Sequence, residues 1–287
     1  MVHAPKIQWP NGARIAVVLQ VAFEQFQTDN PDYYNQASRL TSIPLLPKEL
    51  VAQGEPDLLL KSWDEYADVG LRRITDLLDR HGVTATLVCS GLAAERYPES
   101  VKAFHQGGGG REVCAHSWSQ DLSPHTLDRE QMRKNASRCA DAIENAMGER
   151  PVGWVGPGGQ HNADTPPALA DEGFIWQGDY ANTDGAFLID AEGRKMVGMS
   201  LPWDVNDVMY VRFRTPPSHY VELFSRYFDV LYQEGGGILP AANHCTIYGR
   251  PFGIWAYDQV IQYAKSFPDV WITTRRAIAE YYLEQYG

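Results

Sequence analysis

Short apolar runs alternate along this chain with segments whose apolar residues recur every three or four positions. The first run, Ile15–Phe23, predicts a strand buried on both faces, because half-buried strands alternate apolar and polar residues. Similar runs predict strands at 85–90, 112–116, 153–156, 174–177, 196–201, 237–243 and 270–273. The stretch between 178 and 195 is less regular.

Helical periodicity fills the intervals between these runs. Apolar residues three or four positions apart predict a helix over roughly 127–147. Another helix is predicted to begin near Asp164, with Pro166 in its first turn, and to end at Gly173. About seven β/α units follow one another, which predicts a parallel sheet in a single domain over 1–287 and favours a closed or nearly closed barrel.

One segment breaks this alternation. Residues 25–61 are rich in Pro, Asn and Asp and lack clear periodicity. Insertions of this length within a compact domain are usually functional or poorly ordered. We therefore interpret 25–61 as an insertion that acts as a lid or as an oligomer contact.

The charge balance and the cysteine spacing narrow the class of protein. Lys and Arg number 25 against 36 Asp and Glu, a net charge of −11, which argues against nucleic-acid or anionic-membrane binding. No apolar run approaches the ~20 residues of a transmembrane helix, and no secretory signal is visible at the start. The four cysteines lie far apart without a CxxC motif. These features predict a soluble cytoplasmic protein.

Side chains that titrate or donate hydrogen bonds follow most of the predicted strands. In an α/β barrel the carboxyl ends of the strands face one mouth, and active sites are built there. The sequence therefore predicts that the following residues converge on one cleft: Glu24, Gln25, His116, Trp118, Gln120, Asp121, Trp154, Asp179, Tyr180, Trp203, Asp204, Asn206, Asp207, His244, Cys245, Thr273, Thr274 and Arg275.

Each of these positions also has a structural interpretation. A single acid after a strand is more often a helix cap or a loop residue, and a Trp there is as often core as pocket lining. His125 is expected to be a solvated residue at a helix start. Glu24 and His116 are stronger candidates, because an ionisable group at the end of an apolar strand carries a desolvation penalty that a neutral residue avoids.

The chain resembles the polysaccharide deacetylase (NodB homology) superfamily in the segments WPNGARIAVVLQVAFEQF, SWDEYADVGLRRITDLLDRHGVTATLVCSG, REVCAHSW and NHCTIYGRPFGI…DVWITTRRAIAEYY. The segments LPWDVNDVMY, FDVLYQEG and HCTIYGRP are most similar to its branch of cyclic amide hydrolases, the allantoinase and cyclic-imidase type. The resemblance covers nearly the whole chain apart from 25–61. It implies a distorted (β/α)7 TIM-like barrel, the NodB homology fold, in agreement with the unit count.

The chain departs from the family at its metal-ligand motifs. The metal-dependent deacetylases carry an Asp pair after the first strand and His-x-x-x-His after the third. Here Glu24 and Gln25 follow the first strand, and HSWSQ runs from His116 to Gln120. Gln is a weak zinc ligand, so no cofactor is predicted. The alternative is a divalent metal such as zinc, held by Glu24, His116 and His125.

The GRPxR motif of the cyclic-amide branch also changes, with Gly253 in place of its basic residue. The resemblance nevertheless implies a hydrolase of non-peptide carbon–nitrogen bonds. Its expected substrate is a small cyclic amide, imide or ureide. The expected assembly is a homo-oligomer, with neither nucleic acid nor membrane as a partner.

The mechanism expected from this resemblance needs a base, an acid and an oxyanion donor. Glu24 is the candidate base, with its pKa expected to be raised by the barrel environment, and His116 and His244 are the candidates for polarising the carbonyl and protonating the nitrogen. The oxyanion donors would be Gln120, Asn243 or the amides of the loop 156–159. The residues expected to bind substrate are Trp118, Gln120, Asp121, Trp154, Asp179, Tyr180, Trp203 and Asn243.

Two other functions stay open at this point. One is a metal-dependent deacetylase of an N-acetylated sugar or polysaccharide. The other is a non-catalytic barrel that binds a ligand without turnover, against which the presence of Glu24, His116 and His244 argues.

Overall fold

The computed structural model describes residues 6–27, 47–51, 53 and 57–287. The strands in these ranges form one curled sheet in the order β6-β7-β5-β4-β3-β2-β1-β8, and β9 also pairs with β1. The pairs are parallel except for β6 with β7. Their bounds are β1 (Ile15–Phe23), β2 (Thr86–Cys89), β3 (Glu112–Ala115), β4 (Gly153–Trp154), β5 (Trp176–Tyr180), β6 (Ala186–Ala191), β7 (Arg194–Ser200), β8 (Gly237–His244) and β9 (Val270–Thr273).

Helices connect the parallel strands and cover the outside of the sheet. Short 3-10 turns lie at Pro10–Gly12, Pro124–Thr126 and Pro157–Gly159. The α-helices are α1 (Lys48–Val51), α2 (Leu58–His81), α3 (Gly91–Arg96), α4 (Pro98–His105), α5 (Arg129–Met147), α6 (Thr165–Asp171), α7 (Val208–Phe213), α8 (Pro217–Glu234), α9 (Pro251–Lys265) and α10 (Arg275–Tyr286). In the described part of the chain, none of these helices is long and apolar enough to cross a bilayer.

The predicted fold class is confirmed: the protein is a mixed α/β domain whose curled sheet forms an incomplete barrel. Strand β1 lies next to one end of this order, paired with β2 and β9 along one edge and with β8 along the other. Near the open seam, a single isolated bridge joins Asn206 to Ala242 of β8. The barrel is therefore distorted, as the resemblance implied.

The hairpin of β6 and β7 is the main feature that the hydrophobic pattern did not predict. Strand β6 carries the apolar run Ala186–Ile189, which the prediction left within a less regular stretch, and its side chains are mostly half-buried. Glu192 and Gly193 join the two strands with φ of 55° and 86°, the positive pair that a tight type I′ hairpin turn requires. The predicted strand 174–177 also lies further along, at Trp176–Tyr180.

The predicted insertion at 25–61 is shorter than expected at its carboxyl end. Helix α2 begins at Leu58, after the Asp57 side chain accepts a hydrogen bond from the Leu60 amide at 2.9 Å, the usual N-cap arrangement. Residues 28–46, 52 and 54–56 lie outside the described residues. The role of this segment as a lid or oligomer contact stays a prediction.

Successive side chains of β1 pack into two different layers, because side chains alternate between the faces of a strand. Val17 and Leu19 pack with the helices in the outer core. Ala16 and Val18 face the barrel interior, where they pack with Trp176 and other interior side chains. Continued to the end of the strand, this alternation directs Glu24 toward the interior and Gln25 toward the helices.

Candidate active site

The ends of three strands bring a carboxylate and two imidazoles together. Glu24 follows β1, His116 follows β3, and His244 is the last residue of β8, in register with Ala22 of β1. Oε1 of Glu24 lies 3.1 Å from Nε2 of His116 and 3.5 Å from Nε2 of His244. The predicted convergence of strand ends thus holds for these three residues, whose catalytic roles remain proposals.

His244 is held from its other side by Asp207. Nδ1 of His244 lies 2.6 Å from Oδ1 of Asp207. The second carboxylate oxygen of Asp207 accepts hydrogen bonds from the backbone amides of His244, at 2.8 Å, and Tyr248, at 3.0 Å. Asp207 is buried just before α7, so it fixes the orientation of the imidazole and accepts the proton of Nδ1.

A close helix contact also fixes the turn after β8. A Cβ atom on Gly70 of α2 would lie 2.0 Å from the carbonyl oxygen of Cys245. Only a glycine lets the helix approach this turn so closely. The residue that follows His244 is therefore pinned by packing, and Cys245 is a buried part of the core.

His116 is oriented by its backbone neighbours. Its Nδ1 lies 2.5 Å from the carbonyl oxygen of Val155, which can only accept a hydrogen bond, so the proton lies on Nδ1. The next residue, Ser117, has a φ of 61°, which is uncommon for a residue other than glycine. Asn135 of α5 bonds the Ser117 hydroxyl and, at 2.8 Å, the Trp118 amide, which stabilises this turn and directs the ring toward Glu24.

The charges of the site depend on one another. Burial alone would raise the pKa of Glu24, but attraction to His244 and the hydrogen bonds with both imidazoles hold it well below its ordinary range. The expectation of a raised pKa for Glu24 was therefore wrong. It considered burial and left out the neighbouring imidazoles.

His244 shows the opposite effect. Burial would lower its pKa, but attraction to Glu24 and Asp207 raises the pKa of this imidazole well above its ordinary value. Burial also raises the pKa of Asp207, opposed by His244 and by the two backbone amides. Because three hydrogen bonds favour the ionised carboxylate, we assign the charge pattern Glu24 carboxylate, His244 imidazolium, Asp207 carboxylate.

The residues at the family's metal-ligand positions do not fit a metal centre. Gln25 points away from the cluster, with Nε2 2.8 Å from the Asp64 carbonyl oxygen and Oε1 2.8 Å from Nη1 of Arg96. Gln120 offers an amide where the metal-dependent enzymes have a second imidazole. Among the described residues, no three or more His, Cys, Asp or Glu side chains are arranged to hold a metal ion.

His125, the third ligand of the alternative metal site, lies elsewhere. Its Nδ1 is 2.7 Å from Oε1 of Gln160, in an exposed position. The Pro124–Thr126 turn carries it on the surface side of the chain that follows β3. The structure therefore does not bring His125 to Glu24 and His116, and the solvated interpretation of this residue fits better.

Two of the predicted substrate-binding aromatic residues are core residues. Trp154 is fully buried in the outer core and contacts Phe174 edge-on, with ring centroids 6.0 Å apart. Trp118 lies against Gly91 of α3 and beneath the Arg138 guanidinium, 3.4 Å from its ring centroid. Both predictions were wrong because these side chains face the helices and not the mouth.

Tyr180 and Trp203 instead pack against the loop 156–161. We call these two residues and the loop the rim. The Tyr180 ring centroid lies 5.1 Å from that of His161, and a Cβ on Gly159 would lie 3.6 Å from the Trp203 ring. Trp203 is 51% exposed. Flat aromatic surfaces that remain accessible suit contact with a planar ring, so both residues stay candidates for substrate binding.

The polar residues predicted to bind substrate are engaged in contacts within the protein. Asp121 accepts two hydrogen bonds from Gln27 at 3.0 Å each, so it anchors the chain that follows Glu24. Asp179 accepts the Gly156 amide at 2.7 Å and anchors the rim loop. Asn243 faces the hydroxyls of Tyr220 and Tyr257 on the helix side of β8. None of these three contacts is directed at the Glu24 cluster.

The structure also reduces the number of candidate donors for an oxyanion. The Gly156 amide is bonded to Asp179, and the Gly159 amide donates to the Gly156 carbonyl at 2.8 Å, so the two amides are already engaged. Gln120 is buried, and its Oε1 has no hydrogen-bond partner within the described ranges. The unpaired atom is an acceptor and cannot donate to an oxyanion, so a donor role for Gln120 through Nε2 stays a prediction.

The basic residue of the GRPxR motif has no room in this chain. A Cβ on Gly253, in the first turn of α9, would lie 2.3 Å from the Cα of Tyr248. The Tyr248 backbone is in turn bonded to Asp207. The loss of this basic residue is thus coupled to the packing that supports the His244–Asp207 pair.

Residues 53–175 match the family model for polysaccharide deacetylases. A Schizosaccharomyces pombe (strain 972 / ATCC 24843) protein that carries the name of a polysaccharide deacetylase is 25% identical over 300 residues, which is 95% of this chain and 91% of that protein. A Pseudomonas aeruginosa PAO1 structure, also named for that activity, has a TM-score of 0.85 at 24% identity over 99% of this chain and 96% of its own, which supports the fold alone.

A third relative comes from the cyclic-amide branch. The crystal structure of a PuuE allantoinase superposes with a TM-score of 0.86 at 26% identity, covering 99% of this chain and 95% of that one. The predicted resemblance is therefore confirmed. Residues 53–175 match the polysaccharide deacetylase family model, and the chain as a whole has the distorted barrel fold of the PuuE allantoinase structure.

Proposed function

We propose that this protein opens a small cyclic amide, imide or ureide by hydrolysis, with Glu24, His116 and His244 as its catalytic residues. The match of residues 53–175 to the polysaccharide deacetylase family model and the whole-length relative support the broader assignment, a hydrolase of non-peptide carbon–nitrogen bonds. The observation that carries the proposal is the Glu24 carboxylate, which lies between Nε2 of His116 and Nε2 of His244.

Glu24 serves as the base. Its low pKa keeps it ionised at neutral pH, so it can accept a proton from a water molecule as that water attacks the ring carbonyl. A carboxylate of low pKa is a weak base, but the proton it takes up lies next to two imidazoles that share the charge of the cluster. Glu24 and the imidazoles beside it therefore titrate as one coupled group rather than separately.

His244 serves as the acid. Its raised pKa keeps the imidazolium at neutral pH. Nδ1 is bonded to Asp207, and Nε2, which faces Glu24 at 3.5 Å, gives its proton to the leaving nitrogen. Proton donation to the nitrogen is needed because an amide anion is a poor leaving group. Asp207 positions the ring and stabilises its charge without touching substrate.

His116 polarises the carbonyl. Nδ1–H of His116 donates to the Val155 carbonyl oxygen, so Nε2 can donate to the negative oxygen of the tetrahedral intermediate only in the imidazolium form, which also places an Nε2–H group toward Glu24. Gln120 is the second candidate donor. No step of this sequence passes through a metal, because the residues present do not fit one.

The lack of a fitting metal site favours an activated substrate. Without a Lewis acid to polarise the carbonyl, imides and ureides are more reactive than the acetamide of a sugar. The likeness to a PuuE allantoinase supports the same class, because allantoin is a cyclic ureide. The exposed Trp203 ring and the half-buried Tyr180 ring offer aromatic surface to a planar substrate.

The substrate class can be tested on a panel of rings beside an acetylated sugar. Purified protein would be assayed with allantoin, hydantoin, dihydrouracil, succinimide, phthalimide and an N-acetylglucosamine oligomer. We expect ring opening of at least one cyclic substrate and no release of acetate. Acetate release without ring opening would replace this proposal by the second candidate.

That second candidate is a metal-dependent deacetylase of an N-acetylated sugar. The names of several relatives favour it, including a peptidoglycan deacetylase of Helicobacter pylori (strain ATCC 700392 / 26695), 25% identical over 41% of this chain. Gln25 and Gln120 argue against it, because both replace family ligands by amides. A barrel that binds without turnover is disfavoured by the paired acid and base.

A further inference from the structure

Gln25 and Glu24 leave the end of β1 on opposite sides. Glu24 faces the two imidazoles, while Gln25 is fully buried on the helix side. The Gln25 side chain bridges two helices: Nε2 lies 2.8 Å from the carbonyl oxygen of Asp64 in α2, and Oε1 lies 2.8 Å from Nη1 of Arg96 in α3. Its amide thus occupies a polar slot directly behind the catalytic carboxylate.

The backbone around Gln25 is fastened at the same place. The Gln25 amide donates to the Ser90 hydroxyl at 3.2 Å, and its carbonyl accepts from the Gln120 amide at 3.0 Å. The Phe26 amide donates to a carboxylate oxygen of Asp64 at 3.3 Å. The chain that carries Glu24 is therefore tied to β2, to α2 and to the segment after His116.

An amide fits this slot and a carboxylate does not. The Asp64 carbonyl oxygen accepts a hydrogen bond and the Arg96 guanidinium donates one, and the Gln25 amide supplies the matching donor and acceptor from one side chain. A glutamate at this position would lose the donor and add a buried acid beside the buried carboxyl of Asp64. Buried donors and acceptors left without partners are destabilising, so an amide is the better fit at this position. The same position carries a metal-ligand acid in the metal-dependent deacetylases.

We propose that Gln25 is a positioning residue, whose side chain, clamped between Asp64 and Arg96, holds the Glu24 carboxylate between the two imidazoles. Its consequence for turnover rests on the proposed function, whereas its consequence for the geometry of Glu24 does not. A displacement of about 1 Å at a reacting group can lower activity about 100-fold. The slot would thus have replaced a metal as the element that fixes the base.

The test compares isosteric replacements of Gln25 with a matched core variant. Gln25→Met removes both side-chain hydrogen bonds, and Gln25→Glu removes the donor alone. Val101→Ala, in the buried core on α4, lowers stability without altering the slot. Ring opening would be followed as kcat and KM separately. We expect kcat to fall about 10- to 100-fold in both Gln25 variants, with KM within about threefold and Val101→Ala near wild type.

The readout independent of turnover is the proton NMR spectrum of the imidazole N–H groups. The protons of His116 and His244 that face Glu24 should shift upfield or exchange faster in Gln25→Met. The Nδ1 proton of His244, bonded to Asp207, should stay in place and serves as the internal reference. Spectra of Glu24→Gln and Asp207→Asn assign the signals.

The surface-accessible side of the slot provides a second variant. The Arg96 side chain is 37% exposed, so Arg96→Met removes one anchor of Gln25 with little risk to folding. We expect a smaller change in the same direction. Unchanged imidazole signals and kcat in folded Gln25→Met and Arg96→Met would overturn the proposal, as would an equal change in Val101→Ala. If wild type opens no ring, the proposed function fails, and the imidazole signals alone decide this inference.

Discussion

Nδ1 of His244 lies 2.6 Å from Oδ1 of Asp207, a residue 37 positions earlier in the chain. The carboxylate is buried and completes its coordination with two backbone amides. A buried carboxylate in this place favours the charged imidazole. The acid of the proposed reaction is therefore His244 together with Asp207, and the pKa of His244 should change when either residue is replaced.

Asp207→Asn should lower kcat about 100-fold or more, within the range for loss of a general acid. His244 then keeps one carboxylate neighbour instead of two, so its pKa falls and the imidazolium is lost at lower pH. The alkaline limb of the kcat–pH profile should move to lower pH. Asp76→Asn, on the exposed face of α2, is the control. An Asp207→Asn protein with full kcat and an unchanged alkaline limb would show that Asp207 does not set the pKa of His244.

Glu24→Gln should abolish most turnover while preserving the fold. The substitution keeps the shape of the side chain but removes the base, which typically contributes about 100- to 10,000-fold. Steady-state kinetics and circular dichroism would be compared with Glu95→Gln, an exposed acid on α3. A Glu24→Gln protein with normal kcat would refute the proposed base.

His125→Ala should leave turnover within about twofold of wild type, as expected for an exposed residue outside special features. The ring contacts Gln160 at the surface and lies outside the Glu24 cluster. Kinetics with the best ring substrate would be measured beside metal content. A large loss of both activity and bound metal would instead support the metal-dependent deacetylase.

Asp64 predicts a pH-dependent stability. Burial raises the pKa of Asp64 to about 8, whereas an Asp in an unfolded chain has a pKa of about 3.9. Between these values the folded protein keeps a proton that the unfolded chain releases, so this group's stabilising contribution declines as pH rises, by at most about 1.4 kcal/mol per pH unit.

Asp64→Asn should flatten that decline, because the neutral amide still accepts from Phe26 and does not ionise. Urea unfolding at pH 5, 7 and 9 would compare the free energy of unfolding of wild type, Asp64→Asn and Asp76→Asn. The expected order is a gain for Asp64→Asn that grows with pH. Parallel curves for all three proteins would contradict the assignment.

Trp154 and Trp203 should respond oppositely to truncation. Trp154→Ala opens a cavity beside Phe174 and should lower the free energy of unfolding by about 3–5 kcal/mol. Trp203→Ala, at a half-exposed position, should change stability by less than about 0.5 kcal/mol and raise KM instead. Thermal unfolding and KM measured on both variants would separate the two roles. A raised KM with unchanged stability in Trp154→Ala would return that residue to the site.

The hydrophobic pattern predicted most strands because parallel strands buried on both faces consist of nearly continuous apolar residues. Ile15–Phe23 has the same bounds in the structure as in the prediction. A strand overlapping β7 was predicted, but the hairpin was not, because the short apolar run Ala186–Ile189 and the turn residues Glu192 and Gly193 were not recognised as its other half. Local periodicity carries little information about such strands.

At the site, the sequence identified strand ends but did not assign their faces. Glu24 and His244 point to the mouth, whereas their neighbours Gln25 and Asn243 point to the helices. The two-residue period of a strand contains this distinction and would have separated them. Trp154 is a further case, because its neighbour Val155 is the one that faces the interior.

The pairing of Asp207 with His244 could not be read from local sequence. It depends on how the chain after β7 returns to the end of β8, where the bridge between Asn206 and Ala242 fixes the distance. The low pKa of Glu24 has the same origin, since it arises from residues 92 and 220 positions away along the chain. Such effects follow from tertiary contacts alone.

The most direct test of the account is ring opening by protein that has been exhaustively chelated, with metal content measured on the same sample by elemental analysis. The donor set around Glu24 predicts that kcat/KM for the best cyclic substrate is unchanged by chelation and that no stoichiometric metal is found. Stoichiometric zinc, together with activity that is lost on chelation and restored by zinc, would contradict the central claim.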